Sequence, residues 1–184
     1  MDELLAHQVI SPVLADYRKE IVLWRFHRRA VHDQSGHQLS FIFYSSPEVA
    51  RGIFDQIQSN KLLIAMKSKG WITRDAYDDT STIKKPDIED TSDARWSPSI
   101  KKSWPFFIMG VSQMWISLID QLAQPELAGK SSATLDESLA IYLHVHENIR
   151  KLWQEEGRHA LLHHLNALFG YGPTIIHEQR MMSF

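Results

Sequence analysis

The chain contains no cysteine among its 184 residues. This excludes disulfides, thiolate nucleophiles and any zinc or iron–sulfur site built on cysteine, and it favours a cytoplasmic setting. A dominant charge is also lacking: a formal net charge of −2 gives no overall attraction to nucleic acid or anionic lipid. The opening Met1-Asp2-Glu3-Leu4-Leu5 places acid where a secretory leader carries Lys or Arg, so no leader is expected. Long apolar runs are scarce. The most apolar stretch, Pro105 to Ile119, is broken by Gly110, Ser112, Gln113 and Ser117 and reads as too short and too polar for a membrane span. Nucleophile elbows, glycine-rich phosphate loops and dinucleotide fingerprints are absent too. These absences leave binding, not turnover, as the expected role.

Hydrophobic residues make up 43% of the chain and charged residues 23%, the balance of a globular protein with a core of its own. Six tryptophans point to a large aromatic core, a docking surface, or both.

The patterning predicts one α+β domain over 1–184. Residues 1–77 form a hairpin-plus-helix layer, 78–103 a polar connecting segment and 104–184 a helical half. Asp2 and Ser11-Pro12 look like the starts of two short helices. From Ile21 the period becomes two, with Val22, Trp24, Phe26 and Ala30 on one face and Arg25, His27 and Arg29 on the other. Turn chemistry at Asp33 to Gly36 leads into Leu39, Phe41 and Phe43, so the pair reads as an antiparallel hairpin. Ser46-Pro47-Glu48 opens a helix that lies on the hairpin, and Asn60 to Lys69 forms another, stopped by Gly70. Residues 80–93 offer too little apolar area to order and are expected to be mobile, with the fixed chain resuming near Arg95. Phe106 to Leu122 is expected to be a central helix burying Phe107, Val111, Met114, Trp115, Leu118 and Leu122. Thr134-Leu135-Asp136-Glu137 is a capping box that starts a long helix running to about Phe169. Thr174 to His177 is expected to add a short strand or a tail after it.

Three sets of residues can carry chemistry. On the long helix, Glu156, His159 and His163 line up on one α-helical face. Glu-x-x-His is the local unit of carboxylate-bridged iron bundles, and His at i, i+4 is a common zinc geometry. A transition metal or haem is the cofactor class this face would take. The sequence has no second Glu-x-x-His and no His-Glu-x-x-His, so side-chain pairing or solvation is the plainer expectation for these groups. The helix is expected either to bend at Gly157 or to lie sandwiched, which would leave these three half-buried.

The second set is basic and aromatic: Arg25, His27 and Arg29 alternate with Trp24 and Phe26. Such a strand can bind single-stranded nucleic acid through phosphate contacts and base stacking. Without a net basic charge, nucleic acid is not the expected partner. The third set is Trp96 and Trp104, which flank the end of the polar segment and are expected to be anchored against the helical half or a second subunit.

Ser40-Phe41-Ile42-Phe43-Tyr44 resembles the end of the aromatic motif of an RNA-recognition sheet. Trp24-Arg25-Phe26-His27, followed by Gly36-His37-Gln38-Leu39-Ser40-Phe41-Ile42-Phe43, resembles the strand pair in the C-terminal elimination domain of lantibiotic dehydratases and thiopeptide-type biosynthesis proteins. The helices after Pro105 have no counterpart in that family, so no residue role is carried over. The expected function is therefore a cytoplasmic binding or interaction protein with a protein or small-ligand partner, a homodimer as its self-association, and no membrane.

Overall fold

The computed structural model describes residues 1–29, 36–78, 93–128 and 133–170. The fold is α+β, with a two-stranded antiparallel sheet among helices. The expected turn residues 33–35, the segment 80–92 and the strand or tail at Thr174 to His177 lie outside the described residues.

The N-terminus is one unbroken helical stretch, α1 (Asp2–Leu5), a π-helical segment (Ala6–Ile10) and α2 (Ser11–Asp16). Ser11 is therefore not a cap. Pro12 has no N–H and its ring crowds the carbonyl four residues back, and the wider i→i+5 turn just before it accommodates both. This stretch is the centre of the molecule: Leu4, Ala6, Val9, Ile10, Val13 and Leu14 are all buried.

Strands β1 (Leu23–Arg29) and β2 (Gln38–Tyr44) pair antiparallel, with Trp24 opposite Phe43 and Phe26 opposite Phe41. Trp24 and Phe26 face the core as expected, whereas Val22 is outside the strand and 72% exposed. Helix α3 (Pro47–Gln58) is capped by Ser46, and α4 (Lys61–Ser68) by Asn60, whose Oδ1 accepts from Leu62 N and Leu63 N at 2.9 and 3.2 Å. Gly70, at φ +71°, supplies the left-handed turn after α4 that side chains with a Cβ avoid.

Helix α5 runs from Pro98 to Leu127, so residues 98–103 belong to a helix and not to a connecting segment. Ser97-Pro98 is a cap followed by an N1 proline, the same signal that opens α3. Pro105 and Pro125 lie inside this helix. Its buried line is Pro105, Ser112, Ile116, Ile119 and Ala123, set against β1 and α6. The face expected to be central, with Phe107, Val111, Met114 and Leu118, is instead the outer one; of that set only Trp115 and Leu122 pack on the core. Ser112 explains the orientation. Its Oγ accepts the outward N–H of Phe26 at 3.0 Å and donates to Ile108 O at 2.8 Å, so α5 seals the free edge of β1.

Helix α6 (Leu135–Leu152) begins at the expected capping box: Glu137 N donates to Thr134 Oγ1 at 3.3 Å and Thr134 N donates to Glu137 Oε2 at 2.7 Å. A second π-helical segment (Trp153–His163) and α7 (His164–Leu168) continue it. The sandwich is not found among the described residues. The chain changes helix type, Trp153 lies across Gly157, and Leu162 and Leu168 are 58% and 78% exposed. One cluster of buried side chains draws on every element from α1 to α6 except β2, whose Leu39, Phe41 and Phe43 pack against it half-buried.

Candidate functional site

The outer face of α5 carries a line of apolar side chains that are not packed on the core cluster. Ile100, Trp104, Phe107, Val111, Met114 and Leu118 follow one another at alternating intervals of four and three residues. That is the spacing of a coiled-coil seam, not of a helix merely wrapped around a core. Ile100 is 52% and Phe107 41% exposed, the other four are half-buried, and none of the six is among the side chains packed on the core. Neighbouring Phe106 is 59% exposed. From Ser103 to Ile119 no side chain carries a charge. Beside the seam, Gly110 has no atom within 4 Å of where a Cβ would stand, so a second backbone meets no obstacle there.

Trp96 and Trp104 are brought together at the start of this seam. Their rings stand 4.8 Å apart edge-on, and Trp104 meets Phe107 at 5.2 Å. Both tryptophans are half-buried and held by each other and α5. The same helix satisfies length and composition for crossing a membrane, with mean hydropathy 1.3 over its best window. The expectation drawn from 105–119 was too short in length, because the helix itself is longer. A core helix passes the same test, and α5 is bonded to β1 through Ser112.

The basic side chains of β1 divide between its two faces. Arg25 is half-buried beside Pro105 and Ile108, and burial lowers the pKa of its guanidinium. His27 and Arg29 are exposed, but Arg28, between them, projects to the opposite face. There its Nε donates to Asp2 Oδ2 at 2.6 Å, its Nη1 stands 3.3 Å from Glu3 Oε1, and its guanidinium lies 5.5 Å from the Trp115 ring.

Glu156, His159 and His163 are all exposed, not half-buried. His159 and His163 stack at 5.1 Å, 17° from parallel. In a π-helix each residue advances by less than the α-helical step, which brings i and i+4 nearly into line and turns i and i+3 apart. Glu156 is thereby moved off the histidine line. No group of three or more His, Asp or Glu able to hold a metal occurs among the described residues.

Two polar networks were not foreseen, and both lie at the N-terminal helix. Asp2 and Glu3 are 3% and 1% exposed. Besides Arg28, Asp2 Oδ1 is reached by His37 Nε2 at 2.9 Å, and Glu3 Oε1 by His146 Nδ1 at 2.8 Å. Glu3 Oε2 has no hydrogen-bond partner, and the Met1 nitrogen stands 3.7 Å away. The first-turn position of both acids, at the positive helix end, lowers the cost of burying them. One turn further, His7 Nδ1 meets Tyr142 Oη at 2.5 Å and His7 Nε2 meets Asp120 Oδ1 at 3.1 Å. Gln8 Nε2 donates to Tyr142 Oη at 2.7 Å. The phenol therefore gives its proton to Nδ1, and the Nε2–H tautomer donates to the carboxylate. Burial pushes the Tyr142 pKa up to about 12; the Gln8 bond opposes this and the Asp120 charge adds to it. With Tyr142 0% exposed, this carboxylate–imidazole–phenol chain pins the N-terminal helix to α5 and α6.

The sequence signals differ in kind. The four-three alternation on α5 can be read from the chain, whereas nothing near Asp2 announces partners more than twenty residues away. Neither family models, nor curated proteins, nor solved structures give a match to this chain.

Proposed function

We propose that this chain is a cytoplasmic protein-interaction module whose α5 outer face receives an apolar helix of a protein partner. The observation behind the proposal is the charge-free seam from Ile100 to Leu118, laid out at coiled-coil spacing and unpacked on its own core. Trp96, Trp104 and Phe107 supply the aromatic anchors on which such contacts concentrate. A protein fits this face better than a small ligand. A crevice of ≈ 190 Å³ beside Leu14, Arg18 and Met109 falls below the roughly 300 Å³ at which ligand pockets begin.

A photoreactive residue at Met114, with one at exposed Lys61 as control, tests this in cells. Adducts to a helical segment of another protein at position 114, absent at 61 and lost in Phe107→Glu, are expected. Adducts to phospholipid alone would replace the proposal with a membrane role, and no adduct at all would remove it.

A further inference from the structure

The hairpin has one sealed edge and one open edge. Phe26 N–H points away from β2 to Ser112, so Phe26 and Phe41, directly opposite, form a pair that does not exchange backbone bonds. Phe41 N–H and C=O therefore point outward on the far side of β2, and by alternation so do those of Leu39 and Phe43. Among the described residues, no hydrogen bond reaches these three from beyond β1. β1 is the one substantial neighbour of β2 among the described elements. Such edges are normally blunted by lysine, proline or a bulge. This one reads Gln38-Leu39-Ser40-Phe41-Ile42-Phe43-Tyr44, with no charge and no proline. Two strands alone are also a marginal sheet, and a third or fourth strand stabilises it.

We infer that β2 pairs with β2 of a second copy of this chain, antiparallel about a two-fold axis at Phe41. Self-pairing fits because the strand is self-complementary: Leu39 meets Phe43 of the partner copy twice, Phe41 meets its own counterpart, and Ser40 meets Ile42 on the other face. No like charges oppose one another in that register, which removes the usual penalty on a symmetric strand pair. The product is a continuous four-stranded sheet, β1-β2-β2-β1. This surface is separate from the α5 seam, so either can stand without the other.

Sedimentation velocity of the full chain from about 5 to about 200 µM, a range suited to a small interface, tests it. A reversible dimer is expected, and Ser40→Lys, at a half-buried strand position with its backbone bonds to β1 intact, should weaken it at least ten-fold with an unchanged circular dichroism spectrum. Because the chain has no cysteine, a nitroxide placed by Ser40→Cys reports the register directly. Labels in the two copies should lie within about 20 Å, given strands ~5 Å apart and an offset of two residues. A chain monomeric throughout that range overturns the inference, including the case in which a strand of another protein occupies β2. So does a dimer that Ser40→Lys leaves intact, or one whose labels lie far apart.

Discussion

The two π-helical segments among the described residues make a controlled contrast. Ala6–Ile10 lies in the middle of the fold, with Ala6, Val9 and Ile10 buried and His7 bonded on both ring nitrogens. Trp153–His163 lies at the periphery, with Trp153 55% exposed and Glu156, His159 and His163 facing outward. Both carry histidine. What separates them is the opposing surface. Against the first, α5 and α6 supply Asp120 and Tyr142 to His7; the second has its two histidines stacked at the surface and an exposed pair of Glu155 with Lys151 at 4.0 Å. An ionisable group gains a role from what is packed against it.

The largest effect should come from removing the cation that neutralises the buried acids at the head of the first segment. Arg28→Ala leaves Asp2 and Glu3 with His37, His146 and the more distant Met1 nitrogen, and a loss of about 3 kcal/mol is expected by urea denaturation. Arg150→Ala, which breaks only the exposed pair with Glu147, should cost under about 0.5 kcal/mol. Equal losses would mean that burial does not distinguish the two regions.

A smaller effect is expected from Tyr142. Its folded pKa of about 12 lies above the ordinary value of 10.0, so the native state holds the proton more tightly. The stabilisation is complete below pH 10 and is lost as pH rises towards 12, on the order of 2 kcal/mol in all. Tyr142→Phe should flatten that part of the stability profile. If the slope between pH 10 and 12 persists in the variant, another group is responsible.

The smallest effect belongs to the second segment. His159→Ala with His163→Ala should change stability by less than about 0.5 kcal/mol, since both rings stack at the surface. Metal analysis of the same pair sharpens the contrast. Stoichiometric zinc, iron or haem in the parent chain that disappears in the double variant would give the outer segment a function the inner one lacks.

Much of the fold is legible residue by residue. The capping box at Thr134, the cap at Ser46-Pro47, the asparagine cap at Asn60 and the alternation of Trp24, Phe26, Phe41 and Phe43 are local instructions, and the chain obeys them. Ser97-Pro98 is an instruction of the same kind that the surrounding polar residues obscure; its signal lies in two adjacent side chains, not in a period. The orientation of α5 is a different matter. Apolar residues occupy nearly its whole circumference from Trp104 to Leu122, so periodicity offers two acceptable faces and cannot choose between them. The choice falls to Ser112, because burying its hydroxyl satisfies the edge amide of Phe26, and an unmet N–H there would cost about 1–3 kcal/mol.

By itself the sequence determined the helix starts, the hairpin, the α+β class and the absence of cysteine chemistry, all of which depend on neighbours within a turn or a strand. Only the tertiary structure decided that the N-terminal helix is the core, that Asp2 and Glu3 are buried among Arg28, His37 and His146, and that the α5 seam faces outward. The physical reason is distance along the chain. Caps and periods act over a few residues, whereas desolvation and pairing are fixed by side chains that meet only after the chain has folded.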